Sequence, residues 1–104
     1  MMYHNAESVP RDDAQAVKWL TEAANKNDAL AQHELGLFAQ AGWGAPANPV
    51  QAEMWMDLAR KNATDLLLEI TIAGDLKSLE ANMTQAQIAQ GDALAAAWKP
   101  PKEP

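Results

Sequence analysis

The sequence predicts an all-α fold, an α/α superhelical repeat (solenoid) built from about five helices in antiparallel hairpins. Three observations carry that expectation. Pro10, Asp12, Ala16, Trp19 and Ala23 recur as Pro46, Asn48, Ala52, Trp55 and Ala59, each 36 positions later. A fixed period of this size marks a solenoid, in which each unit buries its apolar face only against its neighbours. Alanine, leucine and glutamine abound while Val, Tyr and Phe are scarce, which favours helix over strand. Apolar residues also recur at spacings of three and four, the helical period. Because Trp19 and Trp55 hold the same place in two units, both are expected to plug equivalent gaps between helices.

The first helix starts at Asp12, an N-cap with Gln15 in the capping-box position, and turns Ala16, Trp19, Leu20, Ala23 and Ala24 to one face. Asn27 tolerates a left-handed conformation and Asp28 accepts backbone donors, so the pair closes one helix and opens the next. The second helix, about residues 28–41, carries Ala31, Leu35 and Phe38 inward, and Gly36 leaves room for another helix to approach. Two glycines and two prolines make Gly42 to Pro49 the clearest loop, from which Asn48 and Pro49 restart the chain as N-cap and first helical residue. The third helix runs to about Lys61 with Ala52, Trp55, Met56 and Ala59 inward. Beyond Asn62, the stripe Leu68, Ile72, Leu76, Leu79 and Met83 predicts a helix of up to 19 residues, with Gly74–Asp75 as the point where it would kink or split. Thr84 and Gln87 form a further capping box for a last helix with Ile88, Ala89, Leu94, Ala95 and Trp98 as its buried stripe. Pro100 and Pro101 end it.

These elements make one domain over 1–99: a truncated unit at about 3–27, a complete unit at 28–63, closing helices at 64–82 and 84–98, and a disordered tail at 100–104. Length agrees, since 104 residues bury about two thirds of their unfolded surface on folding. Fourteen acidic residues against eight basic ones give a formal charge of −6, which repels phosphate backbones and anionic lipids, so nucleic acid is not an expected partner. With no cysteine, disulfides and thiolate metal sites are excluded. No apolar run approaches the roughly 18 residues a bilayer demands, and no basic segment precedes an apolar one at the start. Membrane insertion is therefore not expected, and a cytoplasmic and a periplasmic location both stay open.

The run Trp19, Ala23, Ala24, Asn27, Ala31, Leu35, Gly36, Phe38, Gly42, Gly44, Asn48, Ala52, Trp55 resembles the Sel-one-like repeat, a relative of the tetratricopeptide repeat. That pattern is Ala-x3-Leu-Gly-x2-Tyr-x2-Gly-x-Gly-Val-x2-Asp-x3-Ala-x2-Trp-x3-Ala-Ala-x2-Gly, and the match spans most of residues 3–63. The later stretch, with Leu79–Glu80, Met83–Thr84 and Gln87–Ile88, is similar in style to the closing helices that follow such repeats. There are departures. Tyr3 occupies the aromatic position at the end of a first helix, but only Met1 and Met2 precede it, and Ala6 and Ser8 stand at glycine positions. Phe38 to Gly42 is one residue longer than the family spacing, so the loop around Trp43 should be distorted. The expectation is a fragment of a longer array, or a short chain whose first helix face needs another cover.

A catalytic role is not expected. Nucleophilic catalysis needs a nucleophile with a base and an orienting group, and the chain offers only Ser8, Ser78, His4 and His33 besides threonines. His33, between inward positions, reads as a solvent-facing or groove-edge residue without the convergent partners of a metal site. Asp12 and Asp13 suit a helix start, and Asn62–Ala63–Thr64 and Asn82–Met83–Thr84 read as caps rather than glycosylation sites. Glu22 with Lys26 and Asp57 with Lys61 read as surface ion pairs along helices. No cofactor and no metal is expected. Members of the resembled family are adaptors and scaffolds, which implies a helical groove that meets a protein or peptide. The candidate contact residues are His33, Gln40 and Trp43, the last an indole in a glycine-flanked loop. The alternatives are a self-associating structural module, with a homodimer formed through the uncovered first helix, and an acidic inhibitor or immunity-type partner of a basic enzyme.

Overall fold

The computed structural model describes residues 12–100, and the expectations placed on Tyr3, His4, Ala6, Ser8, Pro10 and residues 101–104 lie outside them. Helices α1 (Asp13–Ala24), α2 (Ala29–Ala41), α3 (Pro49–Asn62), α4 (Leu66–Glu80) and α5 (Gln85–Ala97) follow in order, with no strand among the described residues. Each starts where a side chain accepts an unsatisfied backbone N–H. The Gln15 amide donates to Asp12 at 2.9 Å, Ala31 to Asp28 at 3.1 Å, and Gln51 to Asn48 at 3.1 Å. At α5 the capping box closes both ways, the Gln87 amide donating to the Thr84 hydroxyl at 3.1 Å and the Thr84 amide to the Gln87 side chain at 2.9 Å. Asn27 takes the left-handed conformation at the first hairpin, with φ 67°.

Helix α3 is the centre of the molecule, packed against α2, α4 and α5, while α1 packs on α2. Two apolar clusters meet on it. Met54, Trp55 and Leu58 join Ala24, Ala31, Leu35 and Ala95 on one side, and Ala52, Met56 and Ala59 join Ile72, Leu76 and Leu79 on the other. Residues that the sequence pattern assigns to one inward face are thus divided between two cores. Trp55 meets Trp98 edge-on, with ring centroids 5.9 Å apart, a favoured aromatic geometry.

Trp19 overturns an expectation. It is 60% exposed, whereas Trp55 is 9% exposed. The two share a position within their units but not a neighbour, because α5 brings Trp98 over Trp55 and no described helix does the same for Trp19. The fourth helix has 15 residues rather than 19 and runs unbroken through Gly74. In α5 the buried positions are Gly91 and Ala95, whereas Leu94 and Ala89 face solvent and Ile88 and Trp98 are half-buried. The buried stripe is narrower than the apolar pattern suggests because α5 touches α3 through its small residues.

Candidate functional site

The loop after α2 turns on Gly42 (φ 81°) and Gly44 (φ 78°). A Cβ at Gly44 would fall 2.8 Å from the Asp13 carbonyl oxygen and from Val17, so only glycine lets the loop lie on α1. The Gly42 and Trp43 amides both donate to the Phe38 carbonyl, at 2.9 and 3.0 Å, and the Asn48 amide ties the loop's far end to the Ala39 carbonyl at 2.9 Å. Trp43 is thereby fixed edge-on to Phe38, with centroids 5.2 Å apart, and remains 42% exposed. Val17, Phe38, Trp43 and Pro46 wall an open cavity of about 400 Å³ whose polar edge includes Asn48 and Gln51. Gln40 is exposed and lines a neighbouring cavity of about 300 Å³ with Pro49, Leu79 and Met83.

His33 is not part of this surface. It is 6% exposed, and its Nε2 lies 2.6 Å from Asp75 Oδ2 on α4. The expected groove-edge residue is instead a buried tie between helices, because α4 folds over the face of α2 that the apolar pattern leaves polar. Beside it Gln32, fully buried, donates to the Ala24 carbonyl at 3.1 Å and accepts from the Asn62 side chain at 3.1 Å. Its amide joins the ends of α1 and α3.

A further cluster lies on the other side of α3. Glu53 is fully buried, and neither carboxylate oxygen meets a hydrogen-bond donor among the described residues. Oxygens of Glu53, Asp57 and Asp92 all lie within 4.8 Å of one another. Burial pushes the Glu53 carboxyl up to about 10, helped by Glu80, Asp92 and Asp57. Burial likewise raises Asp57 to about 8, whereas a hydrogen bond from Asp57 holds Asp92 below its ordinary range. The spacing that pairs Asp57 with Lys61 on the surface is overridden, since α5 delivers Asp92 to the same spot.

The Sel1 repeat profile matches residues 1–28 and 29–63, more than half of the chain. The chain is a Sel1-repeat protein. The second matched unit holds α2 and α3, the hairpin that carries His33, Gln40, Trp43 and Glu53. Sel1 repeats generally mediate protein–protein interaction, and the family is typically non-enzymatic. No curated protein and no solved structure matches the chain significantly. Among the described residues no helix is long and apolar enough to cross a membrane.

Two signals to the acidic cluster do stand in this Sel1-repeat sequence. Glu53 is a lone carboxylate inside Ala52, Met54, Trp55 and Met56, and Asp57 follows it one helical turn later. Asp92 is invisible in that pattern because only packing brings it across.

Proposed function

We propose that the protein is an adaptor-type module that presents the Trp43 groove to an apolar side chain of a protein or peptide partner. The observation that supports this most is the half-exposed indole above an apolar cavity of about 400 Å³. A large aromatic over such a pocket has the character of an interface anchor. Phe38 and the loop's backbone hydrogen bonds hold the ring in place, so little conformational freedom is lost when a partner docks. Gln40, on the neighbouring cavity, adds a polar contact at the edge. The formal charge of −6 favours a partner with basic residues flanking its apolar anchor.

The test has two arms. A partner captured on the immobilised chain and identified by mass spectrometry is titrated against the wild type and Trp43→Ala. Tenfold or greater weakening at an unchanged melting temperature supports the reading. Unchanged affinity, or a loss of stability as large as that of Trp55→Ala, overturns it.

A second reading rests on a different surface. Trp19 and Leu30 are exposed, and Leu20, Ala23 and Leu30 line a shallow cavity of about 300 Å³ at the first hairpin. An apolar face of this kind suits a second copy stacked as the next unit of an array. Light scattering at micromolar concentration should then show a dimer that dissociates on dilution and is lost in Trp19→Glu.

A further inference from the structure

We propose that Glu53, Asp57 and Asp92 bind one hard divalent cation, Ca²⁺ foremost, which cross-links the closing helix α5 to the central helix α3. Three features of the site carry this. All donors are carboxylate oxygens, the chemistry that selects Ca²⁺ or Mg²⁺ over softer metals. One oxygen from each residue lies within 4.8 Å of the others, and two oxygens on opposite sides of a Ca²⁺ ion, at about 2.4 Å each, are about 4.8 Å apart. Three oxygens so spaced all lie within about 2.8 Å of one central point, so a single ion reaches all three once they close in by a few tenths of an ångström.

The independent observation is Glu53 itself. Its side chain is fully buried, and among the described residues both of its oxygens lack a donor. A buried carboxylate without a partner is costly, and here its oxygens meet other carboxylates rather than cations. Arg60 acts on Asp57 but supplies no hydrogen bond to Glu53. The site grades from buried Glu53 through half-buried Asp57 to exposed Asp92, so an ion can enter from the Asp92 side and keep water ligands there. Gly91 makes the arrangement possible: a Cβ at that position would fall 2.5 Å from Glu53 Cβ and Cγ and 3.0 Å from the Val50 carbonyl oxygen. Only a bare backbone lets α5 come close enough to set Asp92 beside Glu53.

The experiment uses the full chain, stripped of metal with chelating resin, at pH 7.5. Calorimetric titration with CaCl₂, and separately with MgCl₂, should show one ion per chain for at least one of them. That same ion should raise the melting temperature by several degrees over a sample in EDTA. Asp92→Asn, at an exposed position, should remain folded in EDTA, weaken binding tenfold or more and remove the melting shift. Glu53→Gln should do the same while remaining folded in EDTA. Absence of binding heat and of a melting shift with both ions in the wild type overturns the proposal. So does unaltered affinity in Asp92→Asn.

Discussion

His33 and Asp75 close the gap between α2 and α4, with Nε2 2.6 Å from Oδ2. The histidine is buried and the aspartate partly exposed, so the pair is a hydrogen bond shielded on one side from water. A buried bond to a carboxylate contributes about 1.5–3 kcal/mol. His33→Ala should therefore lower unfolding free energy by about that amount, and urea denaturation measures it. In a double-mutant cycle with Asp75→Ala the two losses should not add, because each substitution removes the same contact. Additive losses would show that the two side chains stabilise their helices separately.

The two tryptophans at equivalent repeat positions should differ sharply. Trp55 sits between the first cluster and Trp98, and Trp55→Ala should cost about 3–5 kcal/mol through the cavity it leaves. Trp19 is 60% exposed, and Trp19→Ala should stay within about 0.5 kcal/mol, as surface changes do. Thermal melts of dilute samples compare the two. Equal losses would mean that Trp19 is covered in solution by a contact outside the described residues.

The contrast shows which features of the chain are legible in its sequence. Caps at Asp12, Asp28, Asn48 and Thr84 are local, involving a side chain and an amide three residues on, so the order of residues reveals them. The recurrence of Trp19 as Trp55 reveals the repeat but not what lies over each ring. Burial of Gln32, His33 and Glu53 is set by three helices packed around α3 and by α4 folded over α2, and no pattern within one helix records that. In the candidate groove, Trp43 was legible as a loop aromatic outside the helical period. The burial of His33 is not legible there, because its partner lies 42 residues away.

Two helical glycines make opposite predictions. A Cβ on Gly91 would overlap Glu53, whereas one on Gly74 would meet nothing within 4 Å. Gly91→Ala should force α5 off α3 and cost about 1–3 kcal/mol, the usual range for overpacking. Gly74→Ala should instead stabilise by about 0.5–1 kcal/mol, since alanine loses less backbone freedom in a helix. Circular dichroism melts of the two variants read both signs. Stabilisation by Gly91→Ala would show that α5 does not approach α3 as closely as the packing requires.

The acidic cluster makes stability depend on pH in an unusual direction when the chain is kept in EDTA. Glu53 faces Asp57 on its own helix, Glu80 from α4 and Asp92 from α5, with Arg60 acting on Asp57 alone among them. Folding raises Glu53 from 4.5 to about 10 and Asp57 from 3.8 to about 8. For both groups the folded chain binds the proton more tightly than the unfolded chain, so their contribution is complete below about pH 4 and is lost as pH rises toward 8 and then 10. Asp92 runs the other way, but its lowered value matters only as the solution becomes more acidic than the ordinary carboxylate range. The melting temperature in EDTA should therefore fall by several degrees between pH 5 and pH 9. Glu53→Gln, which mimics the neutral form, should flatten that slope and leave the protein more stable than wild type at pH 9. A melting temperature that rises over the same interval would mean that Glu53 is ionised and solvated in the folded chain, contrary to its burial.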